Sequence, residues 1–529
     1  MTEAEGVRVL GETAEIGAPD ADMATLARGG RLNVFGFVLR LAARLPFLFI
    51  AGQMYGKGAL GRFAYAVLVV EFAAQIAALG LRRGLAQLLA DAKKPQACVV
   101  ADALLVAAIG SAICMAILIA FPIAMYPDVR SPPHGMDRYL AVTVLAIAWT
   151  DIALAALAFH HDVGATVRAR SIVEPWTISI VAFAWAFISL NDGLIVSYVF
   201  SMVAALIAAL IPLVRCFGIP HDWKPDLPAA WRTARRNVPL AAADTVEWAS
   251  RRVDLAVLGA FMPKEFVGVY YVAQQVATLP AKLKTSFEPV LGPAIARKIA
   301  AGDRESIAGQ LRQVTYWIVA AQLGIALALA IPGRAVMGLV GSGFTGGTAA
   351  LGFLLAAEVI AAAAVVSEAA LIYVARKRNM LISLVMLALE AGLAAALILI
   401  MRDEGLPQAW QATGPAIALC IALAFASITK SWLLKKELGA PVSGWRWDLA
   451  WATAAGVMVG AGVKYLLPET WQLILGVPAI LAAFFSILWT KGFGPEDREL
   501  FRLNKHEVKE LRAAEEAAEA RDQIRDDIV

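Results

Sequence analysis

The sequence predicts an all-α polytopic membrane protein with about fourteen transmembrane helices. Three observations lead to this fold class. First, 60% of the 529 residues are hydrophobic and only 17% are charged, whereas soluble globular domains contain about 25% charged residues. Second, the chain offers a series of apolar runs of about 20 residues, the length that a helix needs to cross the hydrocarbon core. Third, Lys and Arg are concentrated in every second connection between these runs.

The apolar runs follow one another closely along the chain. No external connection reaches about 30 residues, and no internal one has room for a nucleotide-binding domain, so any chemistry must take place within the membrane. The runs lie near residues 33–55, 61–81, 98–123, 138–159, 172–190, 194–214, 238–262, 265–290, 313–332, 348–374, 380–400, 411–430, 448–466 and 471–490.

The charges of the connections predict the topology. One alternate set of connections holds 22 Lys and Arg residues and the other set holds 8. Because cytoplasmic loops carry the excess of Lys and Arg, both termini are expected on the cytoplasmic side of the membrane. Residues 1–29 lack the features of a cleavable signal peptide. The net charge of +4 gives no reason to expect a nucleic-acid partner, and the four cysteines show neither a metal-binding nor a disulfide pattern.

A segment around the turn between the first two spans recurs 207 residues later with the pattern G-x4-K-x3-G-x-[FY]-x-x-A. Both copies lie at a predicted outer turn and run in the same direction. A chance match of small residues is the alternative, but a parallel repeat of this kind is common in transporters. It predicts two six-helix bundles related by a pseudo-twofold axis, followed by two extra spans. The matched residues are Gly52, Lys57, Gly61, Phe63 and Ala66, and then Gly259, Lys264, Gly268, Tyr270 and Ala273.

The repeat and the spans together give the expected domain organisation. A cytosolic N-terminal segment precedes the first bundle, a cytosolic linker joins the bundles, and a charged, amphipathic cytosolic tail follows the last two spans. The predicted boundaries are 1–32 for the segment, 33–214 for the first bundle, 215–237 for the linker, 238–430 for the second bundle, 448–490 for spans 13 and 14, and 491–529 for the tail.

Charged residues inside the spans are the candidate functional residues, because an ionisable side chain in the bilayer is costly and is kept for function by default. On a continuous helix, Asp244, Glu247, Arg251 and Asp254 of span 7 share an arc of about 80°. Their carboxylates are candidates for ion coupling, with Asp244 and Glu247 as the leading pair. The complete candidate set for ion coupling is Asp244, Glu247, Asp254 and Glu71.

Basic and polar residues of spans 1, 7 and 8 are candidates for substrate binding. Arginine suits a phosphate or diphosphate, since its planar fork makes paired hydrogen bonds. A second interpretation is that the arginines only neutralise the neighbouring carboxylates as buried pairs. Glu358, Glu368 and Glu390 are weaker candidates, which we expect to be packed structurally. The candidate substrate-binding residues are Asn33, Arg40, Arg44, Arg251, Arg252, Gln275 and Lys282.

Several motifs resemble the polysaccharide transport family, which includes O-antigen and lipid-linked oligosaccharide flippases. This family belongs to the multidrug/oligosaccharidyl-lipid/polysaccharide exporter superfamily. The similar stretches are N-x-x-G-F in span 1, A-A-L-G-L after span 2, D-L-A-V-L-G in span 7, V-G-V-Y-x-V-A in span 8, P-V-L-G-P-A after it, and G-L-V-G-S-G-F before span 10.

The resemblance implies two bundles that form a V, open alternately to either side, and carry an undecaprenyl-diphosphate-linked sugar unit to the outer leaflet. In related lipid flippases the diphosphate meets arginines in spans 1, 2 and 8. Here Arg40 and Arg44 match that role in span 1 and Lys282 in span 8, whereas span 2 carries Glu71.

The sequence therefore predicts a secondary transporter, not an enzyme, for lipopolysaccharide, capsule or exopolysaccharide assembly. The expected partners are a lipid-linked oligosaccharide, a proton or Na⁺ as the coupling ion, the lipid bilayer and, in addition, a polysaccharide polymerase; no cofactor is expected. A cation-coupled multidrug antiporter is the nearest rival, but it would need few central arginines. A membrane-embedded polysaccharide-assembly enzyme is a second rival and would need a long external loop.

Overall fold

Every regular element in the described part of the chain is a helix. The structure is a computed structural model that describes residues 45–90, 94–126, 136–160, 162–220, 223–286, 304–442 and 444–494. The predicted N-terminal segment, the start of span 1 and the predicted amphipathic tail from residue 495 lie outside these ranges.

The first seven helices build one bundle. One cluster of small and branched apolar side chains lies largely within it, and a second cluster continues into the helices that follow. Helix α5 packs against α2, α4 and α7, and α6 packs along α7. The helices are α1 (45–55), α2 (Gly56–Ala77), α3 (Leu81–Ala90), α4 (Gln96–Ala120), α5 (Thr143–Phe159), α6 (163–185) and α7 (Gly193–Phe217).

The remaining helices build a second bundle and a C-terminal pair. Helices α13, α14 and α15 lie side by side, α10 packs against both α13 and α2, and α11 packs against α13. The helices are α8 (Leu227–Ala249), α9 (Val253–Phe261), α10 (Lys264–Ser286), α11 (Arg304–Ala330), α12 (Gly333–Val340), α13 (Thr348–Val374), α14 (Arg376–Asp403), α15 (Gly414–Leu438), α16 (Trp447–Leu466) and α17 (Glu469–Gly492).

Ten helical segments in the described residues are long and apolar enough to cross a membrane. This confirms a multi-pass, all-helical membrane protein, while the count of fourteen spans stays a prediction. The first of the ten, Leu45–Ala90, contains two predicted spans, and the helices at predicted spans 5, 7 and 8 are not among the ten. Helix α8 shows the reason: it carries Arg232, Arg235 and Arg236 as well as two acidic residues, so its mean hydropathy is low.

Span 7 differs from the prediction of one uninterrupted helix over 238–262. Its first helix begins at Leu227, inside the predicted linker, where the Asp226 side chain accepts a hydrogen bond of 3.0 Å from the Ala229 amide and caps the helix. The helix ends at Ala249, and a new one begins at Val253 after Arg252 adopts φ −139° and ψ −4°. The expectation that four charged residues form one stripe on a continuous helix is therefore wrong.

The break sends the two halves of span 7 to different bundles. Helix α8 packs against α2, α3 and α4 of the first bundle, whereas α9 packs against α10, α14 and α15 of the second. Residues 250–252 therefore lie at the junction between the bundles.

Helices α16 and α17 pack against each other and against α11. Gly456 and Gly460 of α16 form a G-x-x-x-G motif that packs within the molecule, because a Cβ at Gly460 would overlap the Ile331 side chain and one at Gly456 would meet Leu327. Exposed aromatic residues stand near both ends of this pair, as in the belts that anchor membrane helices at the interfaces. They are Trp445, Trp447, Trp451 and Trp489 near one end, and Tyr465 and Trp471 near the other.

Candidate functional site

A cavity of about 1360 Å³ lies between the two bundles. Helices α2, α6 and α7 line it from the first bundle, α10, α13, α14 and α15 line it from the second, and α8 runs along it. Its lining includes charged residues of both signs, which a surface facing lipid would not tolerate. These residues are Glu71, Arg83, Glu174, Glu247, Arg251, Arg252, Asp254, Glu358, Glu368, Arg376, Glu390 and Lys430.

The two arginines at the break of span 7 have different surroundings. The Arg252 guanidinium lies 3.3 Å from a carboxylate oxygen of Glu71 on α2 and therefore joins the two bundles. The Tyr198 hydroxyl donates a long hydrogen bond of 3.4 Å to the same carboxylate. Arg251 pairs at 3.1 Å with Glu247, four residues earlier, but 61% of its side chain stays exposed. Arg251 is therefore the more accessible cation in the cavity.

The leading pair for ion coupling predicted from the sequence is already neutralised. Arg83 of α3 lies 2.8 Å from a carboxylate oxygen of the buried Asp244, and it also pairs with Glu247. In this conformation both acids are thus members of ion pairs, and Arg83, which the sequence did not indicate, is a partner of each.

The most enclosed carboxylates belong to the second bundle. Asp254, in the first turn of α9, is 2% exposed and accepts hydrogen bonds from the Tyr270 hydroxyl at 2.8 Å, the Gln274 amide at 3.0 Å and the Leu255 backbone at 2.7 Å. Glu390 of α14 is 1% exposed, and neither carboxylate oxygen has a hydrogen-bond partner among the described residues. The two carboxylates act on each other electrostatically, and both line the cavity.

A second polar group stands in the second-bundle wall. The Lys430 side chain is only 3% exposed, and its ammonium group lies 2.9 Å from Glu368 of α13 and 3.0 Å from the Ser383 hydroxyl of α14. Lys430 is therefore a buried cation within α15. This ion pair ties the three helices α13, α14 and α15 together beside the cavity.

The first-bundle wall has a matching network. Arg170 in α6 pairs with Asp151 of α5 and, at 2.9 Å, with Glu174 one turn further along. The Ser201 hydroxyl of α7 donates a 2.7 Å hydrogen bond to the Glu174 carbonyl. These contacts fix α5, α6 and α7 around the cavity.

The structure brings most of the described candidates to one site. Arg251, Arg252, Gln275, Glu247, Asp254 and Glu71 line the cavity, and Asp244 lies beside it. Asn33, Arg40 and Arg44 lie outside the described residues, and the Lys282 side chain is likewise not described, so their assignment stays a prediction. The sequence analysis missed Arg83, Tyr270 and Gln274.

The described helices thus form two bundles around a charged internal cavity. A family model described as "Polysaccharide biosynthesis protein" matches residues 56–340. The chain belongs to this family. A comparison with curated proteins found no match.

Two solved structures show the same fold. The chain is similar to the lipid II flippase MurJ in an inward closed conformation, with a TM-score of 0.64, 12% identity, and coverage of 86% of this chain and 99% of that one. It is also similar to an inward-facing multidrug resistance MATE family transporter of the MOP superfamily, with a TM-score of 0.59, 13% identity, and coverage of 76% and 98%.

Proposed function

We propose that the protein is a secondary transporter that flips an undecaprenyl-diphosphate-linked oligosaccharide unit from the inner to the outer leaflet. The observation that carries this proposal is the cavity between the bundles. Its volume of about 1360 Å³ exceeds the range of about 300–1,000 Å³ that is usual for small-molecule pockets. Membership of a polysaccharide biosynthesis family and the fold shared with a lipid II flippase support a substrate of this kind.

The head group would bind where the cavity offers accessible cations. Arg251 is largely exposed in the cavity, and a guanidinium can hold a phosphate through two parallel hydrogen bonds. Arg252 would add charge next to it, and Gln275 would supply an amide for a sugar or phosphate oxygen. Arg40, Arg44, Lys282 and Asn33 remain proposed members of the same site.

The coupling ion would bind to the second bundle. Two carboxylates in a shared apolar site need a bound proton or cation to compensate their charge. Asp254 and Glu390 meet this condition, whereas Asp244 and Glu247 are compensated by Arg83 and Arg251. We therefore favour Asp254 and Glu390 as the coupling pair over the pair that the sequence favoured.

The multidrug antiporter remains the second candidate because a MATE transporter shares the fold. The cavity lining holds five basic and seven acidic residues, and the largely exposed Arg251 among them favours an anionic head group over a cationic drug. The proposed location is the bacterial inner membrane, with both termini in the cytoplasm. A polysaccharide polymerase is the proposed partner protein, and the chain itself is proposed to have no catalytic role.

Deletion of the gene in its own host tests the proposal. We expect surface polysaccharide to be lost and the lipid-linked repeat unit to accumulate in the inner leaflet, with both defects reversed by the parent chain. Drug susceptibility should stay unchanged. Normal surface polysaccharide together with increased drug susceptibility would instead support the antiporter.

A further inference from the structure

The repeated glycines lie where the two bundles touch. A Cβ at Gly61 would overlap the Lys264 carbonyl oxygen and lie 2.6 Å from the amide nitrogen of Gly268. A Cβ at Gly268 would overlap the Lys57 carbonyl oxygen and lie 2.9 Å from the amide nitrogen of Gly61. The contact is reciprocal, as a pseudo-twofold axis between α2 and α10 requires, and it joins backbone directly to backbone.

The other glycine pair of the repeat lies at the same end of the molecule. A Cβ at Gly52 of α1 would overlap the Val340 side chain of α12, and one at Gly259 of α9 would overlap the Tyr65 ring of α2. In addition, the Gln53 amide donates a 3.1 Å hydrogen bond to the Leu339 carbonyl. All four glycines of the repeat therefore face the opposite bundle.

The cavity ends before it reaches this contact. Along α2 its lining includes Phe63, Ala64, Val67 and Glu71, but Gly61 and Gly268 are not part of it. At its far end the cavity is lined by Arg83, Arg251 and Arg376. The glycine contact therefore closes the cavity at the turn end, which the predicted topology places outside.

A backbone contact of this kind suits a surface that must separate and close again. Small residues let helices approach closely. At the crossing of Gly61 and Gly268 the nearest atoms of the two helices are backbone atoms, and apolar side chains of both bundles, such as Leu60 and Val267, pack around it.

We propose that the repeat encodes an outer latch, in which Gly61 and Gly268 close the cavity in the present state and part in the opposite state. This inference rests on the transport function proposed above, carried out by two bundles that open alternately to either side, but not on the identity of the substrate. On this proposal the repeated glycines form a gate and do not form a binding site.

Accessibility of a cysteine in the cavity tests the latch. In a chain without its four native cysteines, Thr278→Cys serves as the reporter and an impermeant maleimide is added outside intact cells. Gly61→Ala and Gly268→Ala should each raise labelling by roughly tenfold, because overpacking of this size disfavours the closed state by about 1–3 kcal/mol. Gly58→Ala is the matched control, since the nearest atom to its Cβ would be 3.5 Å away. Folded variants with unchanged labelling would overturn the latch.

A disulfide provides a second test that leaves Gly61 and Gly268 intact. A Cβ at Gly58 would lie 3.9 Å from Cγ of Glu265 on the opposite bundle, so side chains at these two positions face each other across the contact. Oxidation of Gly58→Cys/Glu265→Cys should stop transport, and a reductant should restore it; each single variant is the control. Full transport by the cross-linked protein would show a permanent contact and overturn the latch. Absence of transport in the parent would count against the proposed function instead, and the labelling result would then decide on the latch.

Discussion

Asp254→Asn and Glu390→Gln are each expected to abolish the response of transport to an imposed pH or Na⁺ gradient. The amide keeps the shape of each side chain but removes the charge that a proton or cation would compensate. Since coupling free energies of about 1–3 kcal/mol correspond to changes of about 5–150-fold, gradient-driven transport should fall by at least about fivefold. The measurement is uptake of lipid-linked substrate in proteoliposomes with and without the gradient.

Asp244→Asn and Glu247→Gln provide the comparison. Both carboxylates pair with Arg83, so their amide variants should still respond to the gradient. If these two variants lost the response while Asp254→Asn and Glu390→Gln kept it, the pair predicted from the sequence would be the coupling site. Asp254 and Glu390 would then have a structural role only.

Arg252→Ala is expected to stop transport while leaving the amount of folded protein nearly normal. The substitution removes the ion pair with Glu71 that joins the bundles at the break of span 7. It also removes a positive charge close enough to act on Asp254. When the coupling ion leaves, we expect the Arg252 guanidinium to separate from Glu71 and to pair with Asp254 instead. Ion release would then loosen the contact between the bundles. Arg252→Lys should restore transport only in part, because lysine keeps the charge but loses the paired geometry.

A double-mutant cycle separates this role from a general effect of charge. Residues of one ion pair should show a coupling energy of about 0.5–3 kcal/mol, so Glu71→Gln and Arg252→Gln together should cost less than the sum of the single changes. Arg251→Ala, at the neighbouring arginine, is the control variant. It should weaken substrate binding and leave the turnover rate unchanged. Strictly additive losses for Glu71 and Arg252 would contradict the exchange.

The fold was largely predictable because membrane helices follow simple rules. Apolar length and the distribution of Lys and Arg predicted the helices, and the repeat of Gly61 in Gly268 predicted two related bundles. The sequence could not show that Gly61 and Gly268 touch each other, because a repeated motif does not reveal how close its two copies lie in space.

The site was predictable only in part, mainly because of the break in span 7. The residues Ser250, Arg251 and Arg252 include no proline or glycine that would announce the end of a helix. Helical periodicity therefore placed Asp254 on the same face as Asp244, whereas the break turns Asp254 toward Tyr270 and Glu390. Arg83 lies in the predicted connection between spans 2 and 3. Its pairing with Asp244 depends on the packing of α3 against α8, which the sequence does not show.

Flipping in a purified system tests the central claim most directly. Proteoliposomes would contain the protein and a fluorescent undecaprenyl-diphosphate oligosaccharide, and an impermeant reagent would measure the fraction of head groups in the outer leaflet. We predict rapid, protein-dependent exchange that increases with an imposed proton or Na⁺ gradient and is lost in Arg252→Ala. Exchange no faster than in protein-free vesicles, together with gradient-driven efflux of a cationic drug, would contradict the account.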